Sequence, residues 1–351
     1  MQLDSKQMEI VNSNEPQILV MAGSGSGKTR VLTERIKRLL NDGIPEENIV
    51  VITFTNAAAD EIKERLDYTG KAFIGTIHGY ANRILLKNGI DTKKYIEQEN
   101  FDKFFQIIKA RNILLPYVEH LLVDEYQDVD PQQFEFFKLL SPANLFVVGD
   151  DLQSIYKFRG ADVSIFLNLA RDKKTKVFYL ETNYRSCEEI VDFATNFIRP
   201  IKNKIDKGAY CVNYGGEVIT MKSLNLDFIL DTILSVDSLR DWFIITRTNE
   251  QINNIVDYLD SKQIPCETFK KSELDNHELR QKLKNNTIKV LTAHSAKGLE
   301  NKNVVALGIK PYWDEERRVA YVAATRAKKL LIWVFSTKQN KKKEKIQTFE
   351  F

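Results

Sequence analysis

The sequence predicts an α/β fold of two consecutive units, each a parallel sheet covered by helices. Short apolar, β-branched segments alternate with helical patterns along the chain. Continuously apolar strands separated by helices are typical of parallel sheets buried on both faces. The length of 351 residues, with 43% hydrophobic and 28% charged residues, suits two domains that each bury a core.

The first unit is predicted to span residues 1–179, with a short helical insertion at about 86–119. Its predicted strands are Ile18–Met21, Ile49–Phe54, His120–Val123, Leu145–Gly149 and Val177–Leu180. Residues 27–40 show the apolar spacing of an amphipathic helix, and Gly43 is placed to end it.

The second unit is predicted to span residues 180–337, and it is followed by a basic tail at 338–351. Its predicted strands are Val218–Met221, Trp242–Thr246, Ile288–Thr292, Val304–Leu307 and Leu330–Phe335. The tail begins with the charged run KQNKKKEK, which is typical of a disordered, solvated segment.

Composition excludes several classes of protein. A net charge of +3 provides no global basic field, so a nucleic-acid surface would have to be local. The scattered Cys187, Cys211 and Cys266 lack the spacing of zinc or iron–sulfur modules. Neither a signal pattern nor a membrane-length apolar run is visible, so we expect a cytoplasmic protein with no membrane partner.

The most informative motif is AGSGSGKT at residues 22–29, which lies between a predicted strand and a predicted helix. Backbone N–H groups of such a loop, together with the helix N-terminus, cradle phosphates. Lys28 would reach the outer phosphates, and the Thr29 hydroxyl would ligate Mg²⁺. Ala22 stands where the general pattern has glycine. The motif predicts a nucleoside triphosphate site.

Two carboxylates, Asp124 and Glu125, directly follow the strand His120–Val123. At the carboxyl edge of a parallel sheet, Asp124 would hold Mg²⁺, and Glu125 would orient and deprotonate the attacking water. A solvated strand end is the alternative. The presence of the phosphate-binding motif favours the catalytic interpretation.

Gln153 follows the strand Leu145–Gly149, and its amide is placed to sense a γ-phosphate. Tyr156, Phe158 and Arg159 come next, and such aromatics beside arginine suit stacking on single-stranded bases. Spacing alone favours core positions in a following helix for the two aromatics.

Two arginines lie outside the half of the chain that carries the phosphate-binding motif. Arg185 and Arg326 would stabilise charge on the transferring phosphoryl group if a second domain delivered them there on closing. Surface salt bridges are the alternative that the residues alone leave open.

Together these segments resemble the superfamily 1A DNA helicases of the UvrD/Rep/PcrA family, in order and over nearly the whole chain. The motifs are LDSKQ ending at Gln7, AGSGSGKTR (22–30), ITFTNAAADEIKERL (52–66), GTIHGYANRIL (75–85), VDEYQD (123–128), GDDLQSIYKFRGA (149–161), LETNYRS (180–186), TAHSAKGLEN (292–301) and EERRVAYVAATRA (315–327). The Ala-Gly opening that starts at Ala22 is a family feature.

The resemblance implies two tandem RecA-like domains, with ATP and Mg²⁺ as cofactors. It implies a nucleotide site formed by Gln7, Ala22, Gly23, Ser24, Gly25, Ser26, Gly27, Lys28, Thr29, Arg30, Tyr184 and Glu300. Catalytic contacts would come from Lys28, Glu125, Gln153, Arg185 and Arg326, and the metal ligands would be Thr29 and Asp124. The implied DNA-contacting residues are Phe54, Asn56, Thr76, His78, Tyr156, Phe158, Arg159, Thr292 and His294. His78 and His294 have no partners at metal-binding spacing.

The resemblance implies an ATP-dependent translocase on single-stranded DNA and single-strand/duplex junctions, with 3′–5′ polarity, and we expect a monomer because no heptad seam is visible. Family members carry domain-sized insertions where this chain has only 86–119 and about 260–287, so we expect a reduced helicase with weak or partner-dependent unwinding. A replication or repair protein is the expected partner. The alternative is an ATP-switched loading or protein-displacing factor that binds single-stranded DNA and unwinds little by itself.

Overall fold

The computed structural model describes residues 2–236, 238–270, 274–335 and 347–348. The chain forms two compact units, residues 1–22 with 27–180 and residues 23–26 with 181–351. Both are mixed α/β units whose parallel sheets are covered by helices, as predicted. No helix among the described residues is long and apolar enough to cross a membrane.

The first unit contains a six-stranded parallel sheet in the order β3-β2-β4-β5-β1-β6. The strands are β1 Gln17–Ala22, β2 Ile49–Thr53, β3 Phe73–Thr76, β4 His120–Val123, β5 Asn144–Gly149 and β6 Lys176–Leu180. The helices are α1 Ser5–Asn12, α2 Lys28–Asn41, α3 Asn56–Leu66, α4 Ile77–Lys87, α5 Lys93–Glu97, α6 Asp102–Ala110, α7 Pro131–Leu140 and α8 Val163–Arg171. Because β4, β5 and β1 are neighbours, the polar segments after them leave the same edge of the sheet.

The second unit contains a sheet in the order β11-β12-β10-β13-β14-β9-β15 and a separate parallel pair, β7-β8. The strands are β7 Thr182–Cys187, β8 Tyr210–Asn213, β9 Glu217–Met221, β10 Trp242–Thr246, β11 Cys266–Glu267, β12 Ile288–Thr292, β13 Asn301–Leu307, β14 Ala327–Val334 and β15 Gln347–Thr348. The helices are α9 Glu188–Ile198, α10 Leu226–Leu234, α11 Asn249–Ser261, α12 Asn276–Lys284, α13 Ala293–Ala296 and α14 Asp314–Ala324.

Local chemistry explains where the helices that position the site begin and end. The predicted helix at 27–40 is α2, and Gly43 beyond its end has a left-handed φ of 78°, as expected of a terminating glycine. Asp130 caps α7 by accepting the backbone N–H groups of Gln132 and Gln133. Each unit has its own apolar core, of which Val20 and Trp242 are fully buried members.

The sequence pattern missed five strands: β3, β7, β8, β11 and β15. Of these, β7 reads TNYRSC and carries polar residues at most positions, so it lacks the apolar run of a buried strand. The predicted tail at 338–351 lies outside the described residues, apart from Gln347–Thr348. Those two residues pair antiparallel with β9.

Candidate functional site

The loop between β1 and α2 contains the predicted phosphate cradle. Gly27 precedes α2 with φ 88° and ψ 27°, a left-handed conformation that glycine adopts without steric cost. Lys28 and Thr29 therefore begin the helix, at the end where its dipole is positive. Ala22 is the fully buried last residue of β1, and Arg30 is half-buried in the first turn of α2.

Gln7 lies against this loop although it is distant in sequence. A Cβ atom built on Gly27 would come within 2.9 Å of Gln7 Nε2. The Gln7 side chain is only 2% exposed and takes part in the capping box with Asp4 that starts α1. The structure thus brings the predicted adenine-contacting glutamine beside the helix that carries Lys28.

Asp124 and Glu125 leave β4 in different environments. Asp124 is 7% exposed, which excludes the alternative of a solvated strand end. Burial, followed by the neighbouring Glu125, raises the pKa of Asp124 to about 7, and Lys28 opposes that shift. Glu125 has a left-handed backbone, φ 50° and ψ 41°, which is unusual for a residue other than glycine and often marks a functional site.

A divalent cation fits this strand end chemically. The buried Asp124 carboxylate is a hard oxygen ligand whose negative charge is poorly compensated, as its raised pKa indicates. Among the described residues there is no cluster of three or more histidine, cysteine or acidic side chains able to hold a metal. Nucleotide-bound Mg²⁺ is usually held by one or two carboxylates together with phosphate oxygens, and a single buried carboxylate such as Asp124 suits that arrangement.

Gln153 is 4% exposed and lies in a short helical turn after β5. Its Nε2 donates to Asp150 Oδ2 at 2.6 Å. Gln127, which the sequence did not single out, donates through Nε2 to the Glu125 carboxylate and accepts the Asp150 N–H. The structure therefore connects Glu125 and Gln153 through two buried residues, Gln127 and Asp150.

The predicted DNA-contacting aromatics of the first unit lie together. The Phe54 and Tyr156 rings stack with centroids 5.2 Å apart, and the Phe158 ring lies 6.1 Å from that of Tyr156. The Arg159 guanidinium is 5.5 Å and 5.6 Å from the Tyr156 and Phe158 centroids. Phe158 is 64% exposed, so the alternative of a core position is wrong for this residue.

Thr76 and His78 lie at the start of α4 and complete this region, whereas Asn56 is exposed at the start of α3. The His78 ring packs against Phe105 at 5.2 Å, and its Nε2 lies 3.9 Å from Asp102 Oδ1. Burial lowers the pKa of His78, although the carboxylates of Asp102 and Asp130 act in the opposite direction.

Most of these residues, but not Phe158 or Asn56, share one cavity of about 310 Å³ with the carboxylates at the end of β4. Its lining includes Phe54, Thr76, His78, Tyr156, Arg159, Asp124 and Glu125. Asp124 and Glu125, assigned to hydrolysis, are thus neighbours of part of the set assigned to strand binding inside the first unit.

In the second unit, three side chains donate hydrogen bonds to Ser24. Its hydroxyl accepts from Arg185 Nη1 at 3.0 Å and from Arg326 Nη2 at 3.1 Å. Its carbonyl accepts from Asn183 Nδ2 at 2.8 Å. Ser24 belongs to the four residues, 23–26, that group with this unit, so the arginines contact the phosphate-binding loop itself.

The two arginines are held differently. Arg326 is 1% exposed, which excludes a surface salt bridge, and it also donates to the carbonyl oxygens of Val322 and Leu299 at 2.8 and 3.0 Å. Arg185 pairs with Glu300. Burial raises the pKa of Glu300, but Arg185 and Lys328 more than offset it and bring the pKa to about 2.

The remaining predicted contacts of the second unit are also located. Tyr184 lies beside the loop, because its N–H donates to Gly25 O at 3.0 Å, and Ser26 Oγ donates to Gly23 O at 2.8 Å. Thr292 ends β12 and caps the short helix α13, which contains His294.

Comparison with known sequences accounts for this combination of motifs. The profile of the UvrD/REP helicase N-terminal domain matches residues 3–115 and 109–174. The profile of the UvrD-like helicase C-terminal domain matches residues 178–274 and 267–338. The chain belongs to the UvrD/Rep/PcrA family of superfamily 1 helicases. Its two α/β units are the tandem RecA-like domains of that family.

Three curated relatives are named "ATP-dependent DNA helicase PcrA". The Leuconostoc citreum protein is 28% identical over 367 aligned positions, which include 75% of this chain and 49% of the relative. The Staphylococcus epidermidis protein is 30% identical over 310 positions, with 62% and 42% covered. The Staphylococcus aureus protein is 28% identical over 374 positions, with 78% and 50% covered.

The chain spans about half the length of these curated relatives. The alignment with the Leuconostoc citreum protein is longer than the 351 residues of this chain. It therefore contains positions at which the UvrD/Rep/PcrA relative has residues and this chain has none. In the first unit, the segment between α4 and β4 holds only the two short helices α5 and α6.

Proposed function

We propose that this protein hydrolyses ATP to move along single-stranded DNA in the 3′–5′ direction and to separate strands. The observation that carries the proposal is the 310 Å³ cavity, which is lined both by Asp124 and Glu125 and by the aromatic and cationic residues Phe54, Tyr156 and Arg159. Hydrolysis and strand contact would therefore act on the same small region of the first unit. Membership of the UvrD/Rep/PcrA family supports ATP and DNA as the ligands.

The proposed chemistry assigns each group a separate task. Backbone N–H groups of the loop and Lys28 bind the phosphates, and Gln153 contacts the γ-phosphate. Glu125 orients a water molecule and accepts its proton as the water oxygen bonds to the γ-phosphorus. The bond from that phosphorus to the bridging oxygen breaks, and ADP leaves. Mg²⁺ held by Thr29 and Asp124 would neutralise phosphate charge.

Arg185 and Arg326 would stabilise the charge that develops on the transferring phosphoryl group. Their hydrogen bonds to Ser24 support this assignment, because that serine belongs to the loop proposed to bind the phosphates. Gln7 and Tyr184 would contact the base, with Arg30 beside it and Glu300 on the ribose. DNA would be contacted by the aromatic residues and also by Asn56, Thr76, His78, Thr292 and His294.

A second candidate is an ATP-switched DNA-binding or protein-displacing factor with little unwinding of its own. The positions that the Leuconostoc citreum relative has and this chain lacks favour this second candidate, because the family's accessory insertions help to engage duplex DNA. A partner protein in replication or repair would then supply the missing function. Both candidates predict ATP turnover on single-stranded DNA, and they differ in strand displacement.

Strand displacement from duplexes with a 3′ or a 5′ single-stranded tail separates the two candidates. The proposed helicase displaces the strand of the 3′-tailed duplex when ATP is present, and the Lys28→Ala variant does not. Displacement of the 5′-tailed duplex alone would contradict the polarity. ATP turnover without displacement of either duplex would favour the switch factor.

A further inference from the structure

Gln127 is fully buried in the first unit, and both the nitrogen and the oxygen of its side-chain amide form hydrogen bonds. Its exposed fraction is 0%. Its Nε2 donates to Glu125 Oε2, and its Oε1 accepts the Asp150 N–H at 2.9 Å. The partners determine the orientation of the amide, because an ionised carboxylate only accepts and a backbone N–H only donates.

The space for this amide depends on Gly149, the last residue of β5. A Cβ atom at that position would lie 2.5 Å from Gln127 Oε1 and 2.7 Å from Phe166 Cε2. Real Cβ atoms do not approach other atoms this closely, so a side chain there would displace Gln127. The glycine lets the Gln127 side chain cross from the end of β4 to the end of β5.

Beyond Gly149, the hydrogen bonds continue to the predicted γ-phosphate contact. Asp150 is 0% exposed, and its two carboxylate oxygens accept from the Leu152 N–H at 3.1 Å and from Gln153 Nε2 at 2.6 Å. One continuous hydrogen-bond network thus joins the partly exposed Glu125 to the buried residues Gln127, Asp150 and Gln153. Such networks hold their members in fixed positions when every group is satisfied.

We propose that Gln127 is a positioning residue that holds the Glu125 carboxylate in the orientation needed to activate water and ties it to the Gln153 loop. The proposal rests on the function proposed above, in which Glu125 accepts the proton of the attacking water. The residue to be positioned, Glu125, has the left-handed backbone noted above, with φ 50°, and its carboxylate is the group that accepts from Gln127.

The direct test compares steady-state ATP turnover and ADP affinity in wild type, Gln127→Leu and Gln127→Glu. Leucine removes both hydrogen bonds of the amide. Glutamate keeps the length and an acceptor for the Asp150 N–H, but it places a second carboxyl group against Glu125, so that the two share a proton and Glu125 is no longer a free base. Both variants should lose about 100-fold in kcat, the cost of misplacing a reacting group by about 1 Å, while ADP affinity stays within about threefold.

Ser154→Ala is the matched control. Ser154 Oγ donates to the Gln127 carbonyl oxygen at 3.0 Å, so this variant removes a buried bond to the same residue and leaves the amide contacts in place. Its kcat should stay within about threefold of wild type. The thermal unfolding of each variant shows whether the fold persists, and if Gln127→Leu does not fold, the glutamate variant decides.

A double variant separates positioning from general damage. If Gln127 acts through Glu125, adding Gln127→Leu to Glu125→Gln should lower kcat by no more than about threefold further, because the group being positioned is already lost. Multiplication of the two single effects would overturn the proposal. So would a kcat of wild-type size in both single Gln127 variants.

The Lys28→Ala variant distinguishes failure of this inference from failure of the proposed function. An inactive Lys28→Ala together with fully active Gln127 variants would overturn the role of Gln127 alone. Turnover of wild-type size in Lys28→Ala would overturn both, since the hydrolysis site would then lie elsewhere.

Discussion

The rings of Phe54 and Tyr156 stack in the first unit, with centroids 5.2 Å apart and planes 20° from parallel. The two residues come from different strand ends, Phe54 after β2 and Tyr156 after β5. Both line the cavity that also reaches Asp124 and Glu125. Aromatic side chains beside the carboxylates proposed to act in hydrolysis are the structural basis for expecting that strand contact and hydrolysis influence one another.

Phe158 provides the sharpest test of the aromatic surface, because it is 64% exposed and its loss should disturb the fold little. Phe158→Ala should weaken binding of an oligo-dT strand by about 5- to 150-fold, since stacking contributes about 1–3 kcal/mol per base. Fluorescence anisotropy at one fixed salt concentration measures the affinity. Tyr117→Ala is the matched control, as Tyr117 is 65% exposed in the same unit but belongs to none of the predicted DNA-contacting motifs, whereas the Phe158 ring lies 6.1 Å from that of Tyr156. Equal losses in the two variants would argue against a specific stacking surface.

Lys28→Ala should abolish ATP turnover while retaining most of the affinity for single-stranded DNA. The lysine begins α2 beside the phosphate loop, and its charge offsets the negative charge near Asp124. Lys37→Ala is the control: Lys37 lies on the same helix and forms an exposed ion pair with Glu34 at 2.8 Å. A phosphate-release assay should find Lys37→Ala near wild type. Retained turnover in Lys28→Ala would remove the assignment of the loop.

Arg326→Lys should lower kcat by about 1,000-fold or more, because a lysine cannot reproduce the planar, multiply donating guanidinium that stabilises phosphoryl transfer. The substitution also leaves buried acceptors such as Leu299 O without their donor, so we expect a loss of about 1–3 kcal/mol in unfolding free energy. Arg317→Lys, on the helix α14 that ends two residues before Arg326, should change neither quantity greatly. If Arg326→Lys hydrolysed ATP at the rate of Arg317→Lys, the role proposed for Arg326 in phosphoryl transfer would be wrong.

The Glu300 carboxylate should stabilise the folded chain at neutral pH but not at strongly acidic pH. Its pKa falls from 4.5 to about 2 in the folded chain, so the contribution is fully present above 4.5 and is lost as the pH falls toward 2. Glu300→Gln should therefore lower the melting temperature at pH 7 by more than it does at about pH 3. Equal effects at the two pH values would mean that the pairs with Arg185 and Lys328 contribute nothing measurable.

Much of the fold follows from the sequence because its buried strands are continuous apolar runs. The segment His120–Val123 was predicted with the bounds that the structure has, and α2 with Gly43 at its end followed from helical spacing. β7 was missed because it forms a small polar pair with β8, whose pairing depends on chain segments distant in sequence. A local sequence pattern does not show which distant segment a strand will pair with.

The candidate site also contains residues that the local sequence identifies and residues that it does not. Lys28, Asp124 and Glu125 are recognisable because motif and flanking strand occur together in a short stretch. Gln127 is not, although it lies within VDEYQD, because the role proposed for it depends on Gly149 and Asp150, at the end of a different strand. The local signal for Gln127 is weak: it is a polar residue two positions beyond Glu125.

ATP turnover measured with and without single-stranded DNA tests the central claim most directly. If the carboxylates and the aromatic residues around the shared cavity form one working site, saturating oligo-dT should raise kcat at least tenfold, by a factor that Phe158→Ala reduces. Turnover that is unchanged by DNA in the wild-type protein would contradict the account of this protein as a DNA-dependent motor.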